Sequence, residues 1–496
     1  MKEHKLAALI SYLSLFLTCS IGIFITPVII KGIGNTEYGL YSLVGAFAGY
    51  LTILDFGLSH SIIRYIAEYR VQKDRAREEN FLAVTLGLYG MVGILIAIAG
   101  SIFYSHLDDL LGKTLTVVEL EKARIMVSVL IFNFAVTVPG AAFTAISSGY
   151  EKFVFPRALM LVKYMLRSVL VYLMVKAGTD SVALVMLDTA LNVLFILLSA
   201  CYVFWGLRVK IRLHNFDISY LGSVLGYSFW VFLYGILNEF QWRSGQVVLG
   251  ITTTPEDVAV FSVAVLLSLF YTTFGGVINS LLLPKTIQYI HRGSDLTDKA
   301  IKAARLSLTL LLYLFGAFLL TGRLFVKLWL GELYNPAWII ALLIMAAYII
   351  PTSLGLAHAV LEARKQLRFK STLLTILTVS GLIAGYMLSF QHKGTGMIWG
   401  QVSAFMVFNL VMCCYYHFRT GIDMVRFFKQ TYVKIAVPFT ASLLMAYLVN
   451  PCFPENWAGF FIKNLVYGIS FWVSIGFYLD NEERKLGLSL LKWRGI

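Results

Sequence analysis

Long apolar blocks separated by short polar connectors divide the chain from end to end. Fourteen can be drawn, near 7–30, 39–62, 81–103, 125–147, 158–177, 181–206, 226–249, 259–283, 305–322, 337–360, 372–390, 396–417, 433–449 and 459–479. Most hold about 20 residues, and at ~1.5 Å of rise per residue such a block crosses a hydrocarbon core of about 30 Å. Nothing in that layer hydrogen-bonds a bare backbone amide, so a span of this kind has to be helical. The pattern predicts an all-α polytopic membrane protein with 14 transmembrane helices.

Composition narrows the class further. The chain is 58% hydrophobic and only 14% charged, and no polar stretch is long enough for an independent soluble domain. A net charge of +14 could point to nucleic acid, but its distribution points to topology. With the N-terminus inside, and edge residues counted with the adjoining segment, cytoplasmic segments hold 29 of the 41 Lys and Arg, outer segments 8. The positive-inside rule then places both termini in the cytoplasm, and the basic charge meets anionic lipid. The first block is too long for a signal-peptide core and lacks a convincing small-residue cleavage site, so it reads as retained. Only Cys452 falls in an outer segment, which leaves no outer disulfide within the chain.

Sparse markers recur in order through the two halves. Glu37 and Glu256 each precede a block, 219 residues apart, and Leu110-Leu111-Gly112 matches Trp329-Leu330-Gly331 at the same offset. Pro139 matches Pro351 at 212, and Glu151 and Arg157 match Glu362 and Arg368 at 211. An ordered drop in offset is what a duplication with one shortened loop leaves behind. The expected layout is two six-helix lobes, 1–217 and 218–430, related by a parallel pseudo-two-fold along the membrane normal. Residues 431–496 add helices 13 and 14 and a cytoplasmic interfacial tail. Gly45/Gly49, Gly222/Gly226, Gly381/Gly385 and Gly396/Gly400 have the four-residue spacing of close helix contacts. Pro139 and Pro351 are expected to bend their helices and are hinge candidates, static shaping of a cavity being the other reading.

Particular residues carry a resemblance. Thr26-Pro27-Val28-Ile29-Ile30 and Gly34-Asn35-Thr36-Glu37-Tyr38-Gly39-Leu40-Tyr41 are followed by Leu54-Asp55-Phe56-Gly57-Leu58 and Ile62-Ile63-Arg64-Tyr65. This resembles the opening of the polysaccharide-biosynthesis flippases, the Wzx-type O-antigen and capsule transporters, and Leu328-Trp329-Leu330-Gly331 with Tyr334 is similar to a later loop of theirs. The resemblance implies a flippase moving undecaprenyl diphosphate-linked oligosaccharide repeat units from the cytoplasmic to the periplasmic leaflet by alternating access. It implies a bacterial inner membrane, a central cavity, and a groove for the lipid tail at the last two helices. Lipid II flippases carry arginines in their first two spans. Here the first span has no charge and Arg64 lies near the cytoplasmic end of the second, which favours the O-unit branch.

An oligosaccharide diphosphate cannot cross hydrocarbon unaided, so charges inside spans become the candidates. Lys163 and Arg167 share one face of span five; contact with a diphosphate or acidic sugar stands beside snorkelling to lipid phosphate for Lys163. Arg243, Arg64 and Lys463 complete the candidate cationic cavity. Glu239 pairs with Arg243 in the plainest reading. Glu239, Asp188 and Asp55 are also ion-coupling candidates. Tyr227, Trp230 and Tyr234 have the spacing of one helix face, suited to sugar stacking or to ordinary packing. His358 and Glu362 read as a loop anchor.

Gly112-Lys113-Thr114 lacks the earlier glycine of a phosphate-binding loop, so nucleotide hydrolysis is not expected, nor an enzyme, a cofactor or a metal. A polysaccharide polymerase or glycosyltransferases are partners in keeping with the family. The alternative is an ion-coupled drug/metabolite antiporter of the multidrug and toxin extrusion type, which predicts twelve spans and an acidic pocket. The sequence leaves open the sugar, the coupling ion and the oligomeric state.

Overall fold

The computed structural model describes residues 2–51, 58–214, 219–280, 286, 289, 295–364 and 366–476. Among these there is no strand, and the helices follow the apolar blocks. They run α1 (Lys2–Ile33), α2 (Asn35–Leu51), α3 (Leu58–Gln72), α4 (Arg75–Ser105), α5 (Leu107–Leu111), α6 (Val117–Gly149), α7 (Val154–Lys176), α8 (Ser181–Cys201), α9 (Ser219–Thr252) and α10 (Pro255–Ser280). Then come α11 (Leu296–Leu330), α12 (Asn335–Ser353), α13 (Gly355–Ala363), α14 (Arg368–Thr420), α15 (Met424–Phe428), α16 (Lys434–Val449) and α17 (Trp457–Gly476). Ten helical stretches among the described residues are long and apolar enough to cross a membrane. One of them, α14, holds two of the predicted blocks and turns at Lys393, whose φ of 49° and ψ of −133° is not helical.

The connectors are short because their polar residues double as caps. Thr116 accepts from the Glu119 amide while Glu119 reaches back to the Thr116 amide, and the Asp74, Asp180, Asp295 and Asp423 side chains accept from first-turn amides of their helices. Each helix thus begins at a defined residue, which fixes its height against its neighbours. Large apolar side chains, among them Phe24, Met91, Ile94, Leu95 and Leu448, point outward. On a protein in water that surface would aggregate; against acyl chains it is the solvated side. This is a multi-pass membrane protein.

The chain forms two compact units, Met1–Ser262 with Tyr386–Met397, and Val263–Gly385 with Ile398–Ile496. In the first, Ile62, Ile66 and Tyr69 of α3 pack on Phe81, Leu82 and Tyr89 of α4 and on Val138, Ala142 and Ile146 of α6. In the second, Tyr467, Phe471 and Ile475 of α17 pack on Tyr313 of α11 and Phe439 of α16. Compactness places α9 with the first unit, while the duplicated markers divide the chain before it.

Two of the glycine pairs meet each other. Within the second unit a Cβ at Gly400 would overlap the backbone of Gly385, and one at Gly381 would press on Ala404. The two arms of α14 therefore touch backbone to backbone, a contact no larger residue permits. Gly400→Ala is expected to force the arms apart at a cost of about 1–3 kcal/mol, the usual range for overpacking. Exposed Gly87 has nothing within 4 Å of its added Cβ, so Gly87→Ala is the control. Thermal unfolding of the purified protein in detergent, followed by tryptophan fluorescence, should fall for the first and hold for the second.

Candidate functional site

Inside the first unit, α7 and α8 run antiparallel across a short connector that Asp180 closes by capping α8. Lys163 and Arg167 lie four residues apart on α7, and Asp188 and Asn192 lie four apart on α8. A step of four down one helix is therefore a step of four up the other, and the two rows meet in register. Arg167 grips Asp188 with two hydrogen bonds, Nε to Oδ1 at 2.5 Å and an Nη to Oδ2 at 2.9 Å. One turn along, the Lys163 ammonium donates to the Asn192 side-chain oxygen. The Asn192 amide donates to Asn133 Oδ1 of α6 at 2.8 Å, and Thr137 donates to the same oxygen at 3.0 Å.

A third helix joins from the other side. Tyr41 of α2 donates to Asp188 Oδ2 at 2.8 Å and accepts from an Arg167 Nη at 3.0 Å. One hydroxyl thus bridges both members of the ion pair. The pair is not sealed away, since the Arg167 side chain keeps 25% of its exposure. Asp188 is the anion that the two cations on one helix face require, and it neutralises only one of them. Lys163 donates to a neutral amide, so Lys163, Arg167 and Asp188 together hold a surplus positive charge. In apolar surroundings such a surplus attracts an anion.

The end of the unit nearest Glu37 is closed by different means. Glu37, in the first turn of α2, accepts from Lys122 of α6 and from Ser181 of α8. On the facing side of α2, a Cβ at Gly39 would overlap the Pro255 carbonyl oxygen, and Leu43 fills the place where a Cβ of Gly250 would stand. Thr36 donates to Glu256, and Thr114 donates to the Gly250 carbonyl at 2.7 Å. Gly112-Lys113-Thr114 is thus part of the turn that fastens α5 to α9.

The remaining candidates fall elsewhere. Asp55 lies outside the described residues, as do the side chains of Arg64, Tyr227, Trp230 and Glu239. Arg243 is exposed and Tyr234 half-buried on α9. Lys463 is half-buried on α17, in the other compact unit. Pro139 lies within an unbroken α6, whereas the helix carrying Pro351 ends two residues later, at Ser353, before α13 begins. His358 Nδ1 accepts from Lys370 at 2.9 Å, which ties α13 to the start of α14, and His358 Nε2 lies 4.0 Å from Glu362 on α13 itself. Along α16 and α17 runs a groove of 920 Å³ lined by Val437, Ala441, Leu448, Val466, Ile469 and Val473.

Tyr41, Asn133, Thr137 and Asn192 were not singled out from sequence. Asn192 had a usable signal, because its spacing from Asp188 repeats the spacing of the two cations. Tyr41 stands in the stretch that carries the family resemblance, yet its role and that of Asn133 were not legible there, since both arise from helices far apart in the chain.

The sequence model of the polysaccharide biosynthesis protein family matches residues 7–285. The chain belongs to that family. No curated protein matches it in sequence. Among solved structures it is similar to the lipid II flippase MurJ in an inward closed conformation, with a TM-score of 0.73 at 15% identity over 95% of this chain and 98% of that one. An inward-facing multidrug resistance MATE family transporter of the MOP superfamily gives 0.61 at 16% identity, covering 83% and 96%. A MOP superfamily transporter from Pyrococcus furiosus gives 0.58 at 16% identity, covering 84% and 95%. At these identities the likeness is one of fold alone.

A half-buried ion pair is costly to break and cheap to remove whole. Arg167→Ala leaves Asp188 uncompensated and should destabilise by roughly 3–5 kcal/mol. Arg167→Ala with Asp188→Ala removes the orphan and should restore at least half of the lost thermal stability. A double-mutant cycle on melting temperature in detergent measures the difference.

Proposed function

We propose that the protein is a flippase for undecaprenyl diphosphate-linked oligosaccharide, carrying the repeat unit from the cytoplasmic to the periplasmic leaflet for surface polysaccharide assembly. The observation that carries the reading is the surplus positive charge at Lys163 and Arg167, held inside an apolar helical unit of a polysaccharide biosynthesis family member. A diphosphate supplies the missing anion. Arg167 offers a planar fork suited to phosphate oxygens and Lys163 a point charge beside it. Arg64, Arg243 and Lys463 are the further cations of this path, and Asp55, Asp188 and Glu239 its coupling acids. Tyr227, Trp230 and Tyr234 are its sugar-stacking surface, with Pro139 and Pro351 as hinges of two duplicated lobes. The apolar groove along α16 and α17 suits an isoprenoid tail, which stays in lipid while the head group crosses.

In the inner membrane, with both termini cytoplasmic, the Glu37 end faces outward. Outward movement of an anion then runs with the membrane potential, at about 2.3 kcal/mol per charge per 100 mV. On the far side a polysaccharide polymerase receives the unit.

Lys163→Gln is the cleaner probe of this site, because its partner is neutral and no orphan charge remains. A charge-assisted hydrogen bond of about 1.5–3 kcal/mol corresponds to roughly ten- to hundredfold in rate. In cells deleted for the gene, lipid extraction and mass spectrometry should show lipid-linked oligosaccharide accumulating at the inner leaflet. Wild type should clear it, and Lys163→Gln should clear it at least tenfold more slowly. New sensitivity to cationic toxins without any accumulated lipid-linked sugar would replace the flippase by the antiporter.

A further inference from the structure

α2 is fastened on two opposite faces by two unlike kinds of contact. Glu37 and Tyr41 are four residues apart and share one face, and Gly39 and Leu43 are four apart and share another. At about 100° per residue, the two-residue offset turns the second pair some 200° from the first. The first face is held by polar bonds, Glu37 to Lys122 and Ser181, and Tyr41 to Arg167 and Asp188. The second face is held mainly by steric fit, Gly39 against the Pro255 backbone and fully buried Leu43 against Gly250, with one hydrogen bond from Thr36 to Glu256 beside them. Contacts between backbones this close tolerate little displacement, because a gap of half an ångström already forfeits a large part of the attraction.

The element is also separable from its neighbour in the chain. α1 ends at Ile33, and Gly34, with φ of 90°, turns the chain before α2 begins at Asn35. That backbone conformation suits glycine and lets α2 change direction without bending α1.

We propose that Tyr41, Arg167 and Asp188 form an anion-released latch that holds α2 in the register where Gly39 and Leu43 close on Pro255 and Gly250. The proposal rests on the reading that Arg167 receives a diphosphate. The diphosphate and Asp188 compete for the same guanidinium fork, and Tyr41 bonds to both members of the pair. An anion that takes Arg167 therefore removes the donor to Tyr41 and leaves Asp188, the acceptor of Tyr41, without the guanidinium that holds it in place. α2 then shifts about Gly34, and the Gly39 and Leu43 face leaves its seat. Tyr41 is a positioning residue in this scheme, since it acts through α2.

The test is thiol accessibility of Leu43→Cys in a full-length chain whose five native cysteines are replaced by serine, in lipid nanodiscs. With the latch closed, a maleimide should label position 43 slowly, and undecaprenyl diphosphate should raise the rate about tenfold. Tyr41→Phe, which removes one hydroxyl, should raise the unliganded rate to a similar level. Asp188→Asn should do the same from the other side of the latch, and melting temperatures measured in parallel separate an opened latch from a folding defect in either variant. Binding of radiolabelled undecaprenyl diphosphate is measured in parallel on Arg167→Gln. Undiminished binding to Arg167→Gln would overturn the reading of Arg167 as the diphosphate contact, and the latch with it. Binding that needs Arg167, together with labelling rates unchanged by ligand, Tyr41→Phe and Asp188→Asn, would overturn the latch alone.

Discussion

A charge placed among apolar helices must find its partner inside the protein, and the first compact unit is arranged around that constraint. Arg167 cannot be left to hydrocarbon, so Asp188 has to stand opposite it. That requirement fixes the register of α7 against α8, and the same register brings Lys163 to Asn192. Asn192 in turn donates to Asn133 on α6, which also accepts from Thr137, and Tyr41 brings in α2. Four helices are positioned relative to one another by two polar clusters one turn apart on α7 and α8. Apolar packing fills the rest but tolerates sliding that directed hydrogen bonds do not.

The cluster differs from a structural ion pair in one respect. Its charges do not balance, because Lys163 is bonded to an amide rather than to a carboxylate. A protein that needed only rigidity would gain nothing from the second cation. The surplus, its partial exposure and its place in a family of polysaccharide biosynthesis proteins all suit an anion that comes and goes. The groove along α16 and α17 is apolar over nearly its whole lining.

Close backbone contact does different work from the polar clusters. Where Gly400 meets Gly385 no side chain intervenes, and where Gly39 meets Pro255 the Thr36–Glu256 hydrogen bond runs beside the backbone contact. Such seams part with few polar groups to re-pair, which suits surfaces that separate. The polar clusters between α7 and α8 have the opposite property: pulling them apart strands a charge. Rigid pairs and separable seams therefore follow from the same rule about polar groups in lipid.

The sequence by itself determined the class. Apolar blocks of spanning length leave helix as the only option, and short connectors rich in Asp and Thr set where many of those helices begin. It also showed two cations four residues apart, and an acid on the following helix, because a charge inside an apolar block stands out without any knowledge of its neighbours. Which charges meet was decided by tertiary structure. Asp188, read from sequence as a coupling acid, is the bidentate partner of Arg167, and Tyr41 joins them from a helix more than a hundred residues earlier. The glycine spacing in α14 was visible, yet only the turn at Lys393 lays Gly400 on Gly385. The physical reason is common to these cases. Periodicity along one helix reveals which residues share a face, while the partner of that face depends on how helices distant in sequence pack.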